Sequence, residues 1–417
     1  MRDNTLVNAM KRLSHQVVML PMYTPLRVDE ESASEEYVFY GGIKAYILQQ
    51  FPSRSPWRTF LLKFAGAQFF TRLLTHFDIG SAVDPKANAE LTLSMLRGVN
   101  GNQGILLEEM IAALTRSIKP QLIHITNTLI SGPASEMKQA LGIPVVCGLH
   151  GEDIFLDGLP GDYRERALDL IRANAAAIDH FIATSHYYAD YYGALIGIDP
   201  ARITVVYPGI SLTDYAEIST RSNHAERPLT IGYLARMAPE KGLHLLVEAF
   251  IRLVNSGKFP GLRLKIAGYE SNAYGRYIQG VRNRLEQAGV GQSVEMIGTV
   301  NRQQKLDFFK SIDIFSLPTV YREPKGLPAL EALANGVPVV LPEHGTFPEL
   351  VQATQGGLLH QPENPAHLAE KLETLLTDSA LRTRLGEQGR AAVHAHFSAE
   401  RMALETVQVY QNLVPQA

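Results

Sequence analysis

Short apolar runs alternate with longer amphipathic segments through the first half of the chain. The apolar runs predict strands at 15–20, 91–96, 122–125, 145–149, 180–184 and 202–206. Segments with the helical period lie among them, at 59–76, 104–118, 161–177 and 186–196. Short apolar strands that alternate with helices indicate right-handed βαβ crossovers and a mostly parallel sheet.

The same alternation restarts after the polar stretch 219–228, which is the best candidate for a linker. Strands are predicted at 229–233, 262–267, 294–297, 312–317 and 337–341, and helices at 327–335, 364–376, 380–396 and 398–414. We therefore predict an α/β fold with doubly wound domains at 1–210 and 225–395 and a closing C-terminal helix at 396–417. Ligands bind at the carboxyl ends of strands in open α/β sheets, so two such domains facing each other create a cleft.

Length and composition favour two domains and exclude several classes of protein. A chain of 417 residues is too long for one core, and 46% hydrophobic with 19% charged residues is ordinary for a globular protein. No apolar run approaches the roughly 18 residues of a transmembrane helix, and a net charge of −3 gives no reason to expect nucleic acid. The single cysteine, Cys147, and an N-terminus without an apolar leader predict a reducing, cytoplasmic setting.

The segment 323–332 (EPKGLPALEA) carries the strongest chemical signal. It follows a predicted strand, and Gly326 at the start of the next helix permits close backbone approach and an anion at the free amides. Glu331 falls on the buried stripe of that helix, where a carboxylate needs hydrogen-bond donors. A sugar diol offers two such donors, whereas a nearby Arg or Lys is the alternative. For this helix considered alone, an ion pair with Arg or Lys is the favoured interpretation. The neighbouring motifs reverse that preference in favour of the sugar diol.

A second signal lies in 231–242 (IGYLARMAPEKG), where a strand ends and Pro239 begins a helix with Lys241 in its first turn. Arg236 and Lys241 both lie near that helix start, although cations normally avoid the positive end of the helix dipole. A diphosphate between them explains the arrangement, since Arg236 offers bidentate bonds and Lys241 a point charge. The alternative is a solvated Lys241 and an Arg236 that pairs with Glu240.

These two segments resemble the donor-binding signature of the family 4 retaining glycosyltransferases, which have the GT-B architecture. The two glutamates are 331 − 323 = 8 positions apart, the spacing of the family's E-x7-E motif, and 334–340 and 345–351 continue the pattern in order. The resemblance covers about 225–395 closely. It implies a GT-B fold of two Rossmann-like doubly wound domains, and a hexosyltransferase that moves a sugar from a nucleotide-diphosphate sugar to an acceptor hydroxyl with retention.

The resemblance also implies residue roles. The implied donor-binding residues are Arg236, Lys241, Lys325, Gly326, Leu327, Glu331, Gly268 and Thr299. Arg236 and Lys241 hold the diphosphate, Glu331 bonds the ribose, and the turns at Gly268 and Thr299 lie near the nucleobase. The implied catalytic residues are Glu323, beside the transferred sugar, and His150.

His150 begins a polar segment, 150–153, at the carboxyl end of the predicted strand 145–149. The resemblance implies that it lies in the cleft by the reacting sugar, and the alternative is a loop histidine bonded to backbone. Glu152 and Asp153 are predicted to cap the next helix. The segments 40–43 and 185–190 resemble one branch of the family without an assigned role.

Family members begin with a strand and a glycine-rich loop, whereas Met1 here opens inside the expected first helix. That first strand and loop are therefore expected to be absent. One alternative function is thus a truncated nucleotide-binding chain without transferase activity. Another is a different GT-B enzyme, such as a nucleotide-sugar epimerase or a phosphorylase, although no phosphorylase-type cofactor lysine is found.

No cofactor is expected, because the nucleotide sugar is a substrate, and no metal, because the chain has neither HExxH nor a clear Asp-x-Asp motif. The expected partners are the donor and a carbohydrate, lipid-linked or small-molecule acceptor. The stretch 40–77 is basic, aromatic and free of acids until Asp78. Helices packed on the N-terminal domain are the favoured interpretation, and peripheral contact with an anionic membrane is the alternative.

Overall fold

The chain divides into two compact units, seen in a computed structural model that describes residues 2–20, 32–33, 85–215 and 227–414. Unit 1 comprises Met1–Tyr207 and Ala403–Ala417, and unit 2 comprises Pro208–Met402. The segments predicted at 40–43, 59–76 and 40–77, and most of the predicted linker, lie outside the described residues. Within the described ranges, no helix has the length and apolarity that a membrane span needs.

A parallel sheet of four strands forms the centre of unit 1 in the described residues. The strands lie in the order β1-β2-β3-β4, with bounds β1 Ile123–Ile125, β2 Val145–Leu149, β3 His180–Ala183 and β4 Ile203–Val205. Every residue of β2 is buried, as expected for a parallel strand covered on both faces. The strands predicted at 122–125, 145–149, 180–184 and 202–206 are confirmed.

Helices precede, connect and follow these strands. Their bounds are α1 Arg2–Arg12, α2 Pro85–Leu96, α3 Gly104–Ala113, α4 Ala134–Leu141, α5 Asp153–Asp157, α6 Tyr163–Ala175 and α7 His186–Ile196. Shorter 3₁₀ turns lie at Gly98–Asn100, Thr128–Ile130 and Pro200–Arg202, and a π-helical turn at Leu114–Ile118. Local signals set such bounds: the Ser185 side chain accepts the amide of Tyr188 where α7 begins, and Gly197 ends α7 with φ 70°.

Two strands predicted in the first half are wrong. Residues 91–96 belong to α2, where Ala89, Leu93 and Leu96 are buried at helical spacing. A short apolar run alone does not distinguish a strand from a buried helix segment. Residues 15–20 form no regular strand beyond one isolated bridge at Met19, and Val18 remains 47% exposed, so burial does not fix this run in a sheet.

Unit 2 is built on a parallel sheet of six strands in the order β10-β9-β8-β5-β6-β7. The bounds are β5 Thr230–Leu234, β6 Arg263–Ala267, β7 Val294–Gly298, β8 Ile314–Ser316, β9 Val339–Pro342 and β10 Gly357–His360. The five strands predicted in this half are confirmed, and β10 is an addition that the sequence interpretation missed. Its residues are mostly half-buried, as expected for an edge strand, and its apolar signal is correspondingly short.

The helices of unit 2 flank this sheet. Their bounds are α8 Leu243–Asn255, α9 Gly275–Gln287, α10 Arg302–Lys310, α11 Leu327–Ala334, α12 Phe347–Thr354, α13 Pro365–Thr377, α14 Ser379–His396 and α15 Ala399–Leu413. Shorter 3₁₀ turns lie at Thr213–Tyr215, Pro239–Lys241, Asn272–Tyr274 and Gly291–Ser293. The α15 helix begins in unit 2 and belongs to unit 1 from Ala403 onwards.

Candidate functional site

The sheet of unit 2 reverses its winding between β5 and β8. The chain proceeds from β5 through β6 to β7 on one side, and from β8 through β9 to β10 on the other. Adjacent β5 and β8 are parallel, with Ile231 opposite Ile314. Loops at the carboxyl ends of two such strands diverge and leave a crevice, the usual ligand site of an open α/β sheet. Both motifs found in the sequence lie in these two loops.

The two loops bring Lys241, Tyr321 and Glu323 together in a set of contacts that we call the Lys241 cluster. Lys241 Nζ donates to Tyr321 Oη at 2.7 Å and to Glu323 Oε2 at 2.9 Å. The Tyr321 hydroxyl donates to the same carboxylate oxygen, and the ammonium lies 4.5 Å from the centre of the tyrosine ring. The cluster joins a residue predicted to bind phosphate to one predicted to lie by the sugar.

Glu323 is ionised at neutral pH although its side chain is only 5% exposed. Burial alone would raise the pKa of Glu323, but the Lys241 ammonium and the Tyr321 hydroxyl outweigh burial and hold that pKa at about 2. The second carboxylate oxygen, Oε1, accepts the amides of Lys325 and Gly326 at 3.3 and 3.4 Å. A buried carboxylate thus keeps its charge at the crevice.

Close backbone contacts hold the two loops in place. The amide of Val320 donates to the carbonyl of Glu240 at 2.9 Å. Gly242 has φ 70°, and a Cβ there would lie 1.7 Å from the carbonyl oxygen of Pro318. On the other side of Glu323, its carbonyl accepts the amide of Thr346 at 2.8 Å. The cluster therefore rests on backbone geometry that larger residues would disturb.

The start of α11 offers fewer free amides than the sequence led us to expect. Gly326 precedes the helix with φ 67°, but Pro328 has no amide hydrogen. The amides of Ala329 and Leu330 bond the Gly326 carbonyl at 3.0 and 3.1 Å. Among the described residues, Leu327 supplies the amide of this turn that is left for a ligand.

Glu331 forms a buried ion pair with a residue that the sequence interpretation missed. Lys305 Nζ lies 2.6 Å from Glu331 Oε1, and the two side chains are 6% and 7% exposed. The ion-pair alternative is therefore present in the structure, and a bond from Glu331 to ribose stays a prediction. The signal for Lys305 was its place in α10, on the buried face with Leu306 and Phe309.

Arg236 is the exposed cation of the crevice. It bonds Glu240 Oε1 at 2.5 Å, and its side chain is 48% exposed. The guanidinium lies 5.8 Å from the centre of the Tyr274 ring. The pairing with Glu240 matches the alternative considered from the sequence, and a role in binding diphosphate stays a prediction.

Gly268 and Thr299 follow the neighbouring strands β6 and β7. The amide of Gly268 donates to the carbonyl of Gly298 at 2.8 Å. Beside these turns, Tyr269 is 48% and Ile297 is 37% exposed. The predicted nucleobase region thus presents an aromatic and an aliphatic surface beside the crevice, while the base contact itself stays a prediction.

Gly268→Ala lowers the free energy of unfolding by about 3 kcal/mol or more. Gly268 has φ 141°, and a Cβ there would lie 1.7 Å from the carbonyl oxygen of Ala235, so backbone must move. Chemical denaturation measures the loss. The control is Gly280→Ala inside α9, where no atom lies within 4 Å and a gain of roughly 0.5–1 kcal/mol is expected. Equal effects at both positions would contradict this account.

His150 lies in unit 1, directly after β2, where its imidazole is held by side chains. Its Nε2 lies 3.1 Å from Arg2 Nη1 and its Nδ1 lies 3.8 Å from Asp3 Oδ2. Burial would raise the pKa of Asp3, but the neighbouring Arg2 and His150 hold that pKa well below its usual value. His150 therefore lies beside an ionised carboxylate and a cation. Its contact with a sugar stays a prediction.

Glu152 fixes the backbone of the loop that carries His150. Its Oε2 accepts the amides of His150 and Gly151 at 2.7 and 2.8 Å, and its Oε1 accepts the amide of Thr128 at 3.2 Å. Glu152 occupies the N-cap position of α5 without a side-chain cap hydrogen bond, because the carboxylate turns back to the loop. Tyr188 lies 3.0 Å from the same carboxylate, which gives the segment 185–190 a structural role.

Two family models together match residues 97–392. The model described as Glycosyl transferases group 1 matches 214–392, and the model described as Glycosyltransferase Family 4 matches 97–214. A glycogen synthase of Mycobacterium tuberculosis is 28% identical over 304 residues, covering 71% of this chain and 69% of that protein. A D-inositol 3-phosphate glycosyltransferase of Corynebacterium efficiens is 31% identical over 221 residues, and the chain spans about half (51%) of its length.

Solved structures of low sequence identity share the fold. HepE of Anabaena in complex with UDP superposes with a TM-score of 0.65 at 17% identity, covering 95% of this chain and 100% of that one. Sucrose-phosphate synthase of Thermosynechococcus elongatus gives a TM-score of 0.59 at 21% identity, covering 75% and 79%. With its parallel sheets in two α/β units, the molecule has the GT-B fold of glycosyltransferases. The chain belongs to glycosyltransferase family 4.

Proposed function

We propose that this glycosyltransferase moves a sugar from a nucleoside-diphosphate sugar to an acceptor hydroxyl with retention of the anomeric configuration. The Lys241 cluster at the winding reversal of unit 2 is the observation that carries the proposal. It presents an ammonium and a buried carboxylate 2.9 Å apart, one suited to phosphate and the other to sugar hydroxyls. The related fold of HepE, solved with UDP and with UDP-glucose, supports this class of donor.

The cations of the crevice stabilise the departing diphosphate in this scheme. Arg236 exchanges Glu240 for phosphate oxygens, which its exposed position permits. Lys241 and the amide of Leu327 supply further donors. Fixed donors aimed at developing negative charge are a major source of catalysis, and this set meets the diphosphate charge without a metal ion.

The transfer itself breaks the bond between the anomeric carbon and the phosphate oxygen and forms one to the acceptor oxygen on the same face. The departing phosphate takes the acceptor's proton. Glu323 orients the sugar through its hydroxyl groups, and the role of His150 at the sugar stays a prediction from the family resemblance. The acceptor is a carbohydrate, a lipid-linked sugar or a small molecule. A single buried free thiol, Cys147, favours a cytoplasmic site for the reaction.

One nucleotide among UDP, GDP and ADP is expected to raise the thermal midpoint of the wild-type chain. A ligand that binds only the native state stabilises it by about 2.7 kcal/mol at one hundred times its dissociation constant. Arg236→Gln removes a charged phosphate donor, so affinity for that nucleotide falls about tenfold. Arg276→Gln, an exposed change on α9, leaves the affinity as in wild type.

If none of the three nucleotides raises the thermal midpoint of a cooperatively folded sample, the proposed donor site is wrong. If one nucleotide does bind, product analysis separates the remaining alternatives. Incubation with the nucleotide sugar of the base that binds gives sugar transfer to a mixed acceptor pool under the proposal. An epimerised donor without transfer indicates a nucleotide-sugar epimerase, and binding with neither product indicates a nucleotide-binding chain without transferase activity.

A further inference from the structure

The hydroxyl of Tyr321 makes one bond toward each of two opposite charges. It accepts a hydrogen bond from Lys241 Nζ at 2.7 Å and donates its own hydrogen to Glu323 Oε2. A tyrosine hydroxyl has one hydrogen and two lone pairs, so both bonds form at once. Lys241 also donates to Glu323 at 2.9 Å, which closes a ring of three hydrogen bonds. The sequence interpretation assigned no role to Tyr321.

The ring and backbone of Tyr321 are held by contacts that do not involve its hydroxyl. The preceding amide, Val320, bonds the Glu240 carbonyl at 2.9 Å, and the Lys241 ammonium lies 4.5 Å from the ring centre. A phenylalanine at this position keeps the loop contact through the amide of Val320. Tyr321→Phe therefore removes the hydrogen-bonding hydroxyl and little else.

We propose that Tyr321 is a positioning residue whose hydroxyl holds the Lys241 ammonium and the Glu323 carboxylate at a fixed separation, ready for the diphosphate and the sugar of one donor molecule. The inference rests on the proposed function. Lys241 has three ammonium hydrogens, and Tyr321 and Glu323 use two of them in the described part of the chain. The third is left for a phosphate oxygen.

The Tyr321 hydroxyl bonds both Lys241 and Glu323, so it affects how the two charges respond to a bound diphosphate. A diphosphate attracts the Lys241 ammonium and competes with Glu323 for it. When the ammonium turns toward phosphate, the buried carboxylate keeps a donor in the Tyr321 hydroxyl, so it stays ionised and oriented for the sugar. Without that hydroxyl, phosphate binding and an ionised Glu323 oppose each other.

The effect of Tyr321→Phe on the free energy of unfolding depends on pH, and it can be measured without a ligand. Losing a donor to the charged form raises the pKa of Glu323, which in wild type lies at about 2 against an ordinary value of 4.5. The stability from Glu323 is present above the ordinary pKa and is lost as pH falls toward the folded-state pKa. The variant is therefore less stable than wild type at neutral pH, and the difference narrows below about pH 4.5. Lys241 and Lys325 are the charged groups that face Glu323 in this comparison.

Urea denaturation of wild type, Tyr321→Phe, Glu323→Gln and the double variant from neutral to acid pH measures this coupling. The Tyr321→Phe effect shrinks in the Glu323→Gln background, because the charge that the hydroxyl serves is gone. A tyrosine with a purely packing role gives an effect that is independent of pH and of Glu323. That result would overturn the proposal.

Nucleotide binding gives the second measurement, with UDP, GDP and ADP as probes. Tyr321→Phe lowers the affinity for the nucleotide that binds wild type by about tenfold. This loss corresponds to the usual contribution of a hydrogen bond to a charged group. The matched control is Tyr163→Phe, which removes a tyrosine–carboxylate bond (to Glu90 Oε1, 2.5 Å) in unit 1 and leaves nucleotide affinity unchanged. Equal affinity of wild type and Tyr321→Phe overturns the role of Tyr321 while the proposed function stands. Failure of wild type to bind any of the three overturns both.

Discussion

Lys305→Met lowers the free energy of unfolding by about 3–5 kcal/mol. The substitution removes the ammonium that lies 2.6 Å from Glu331 Oε1 and leaves a carboxylate that is 7% exposed without its counter-charge. A buried charge that loses its partner is far more costly than the loss of an exposed ion pair. Urea denaturation followed by far-ultraviolet circular dichroism measures the effect.

The matched control for this prediction is Lys310→Met on the same helix, α10. Lys310 is exposed, so its replacement changes stability by no more than about 0.5 kcal/mol. Lys305→Met with Glu331→Leu removes both charges and recovers most of the stability, since a buried pair is often replaced by apolar residues at little cost. A Lys305→Met effect no larger than that of Lys310→Met would show that the pair contributes nothing.

The same double variant separates the two alternatives for Glu331. If the carboxylate serves only Lys305, the recovered fold binds nucleotide with wild-type affinity. Under the proposed function Glu331 also bonds the ribose, so the double variant is stable but loses its thermal shift with nucleotide. Stability and binding thus report different contacts of one side chain, which neither single substitution can separate.

The central parallel strands of unit 2 were predictable because burial on both faces gives them continuous apolar runs. β5 and β9 are entirely buried and stand out in the sequence. The edge strand β10 has two leucines between a glycine and a histidine and leaves no comparable signal. In unit 1, the leucines of α2 gave an apolar run too short to show its period. Strands and buried helix segments can both give a short apolar run, and such a run does not by itself separate them.

The candidate site, too, was predicted from the sequence only in part. The family resemblance implied one donor site for Lys241 and Glu323. The structure brings the two together because both follow strands that flank the winding reversal. Tyr321 was missed although it lies two residues from Glu323, because a hydrogen bond through a hydroxyl has no signature in spacing. Lys305 was missed because pairing with Glu331 depends on how two helices pack. Sequence thus identified the loops, and packing determined the partners within them.

Glu323→Gln reduces sugar transfer by about 10²–10³-fold while nucleotide affinity is kept or increased. Glu323 is ionised, with a pKa of about 2, so the amide removes a full charge with little change of shape. The Lys241 ammonium is then no longer neutralised at 2.9 Å and attracts a diphosphate more strongly. Under the proposed function, transfer falls because the carboxylate that orients the sugar is gone.

Release of nucleoside diphosphate from the matching nucleotide sugar, at saturating donor, measures the transfer step, and titration with the free nucleotide measures binding. Glu286→Gln, an exposed change on α9, changes neither. Equal losses in both measurements would make Glu323 a residue for donor binding alone, and unchanged transfer would remove it from the mechanism. A fall in transfer with undiminished binding is the result that distinguishes a transferase from a nucleotide-binding chain, because a chain that only binds nucleotide has no later step in which this buried charge could act.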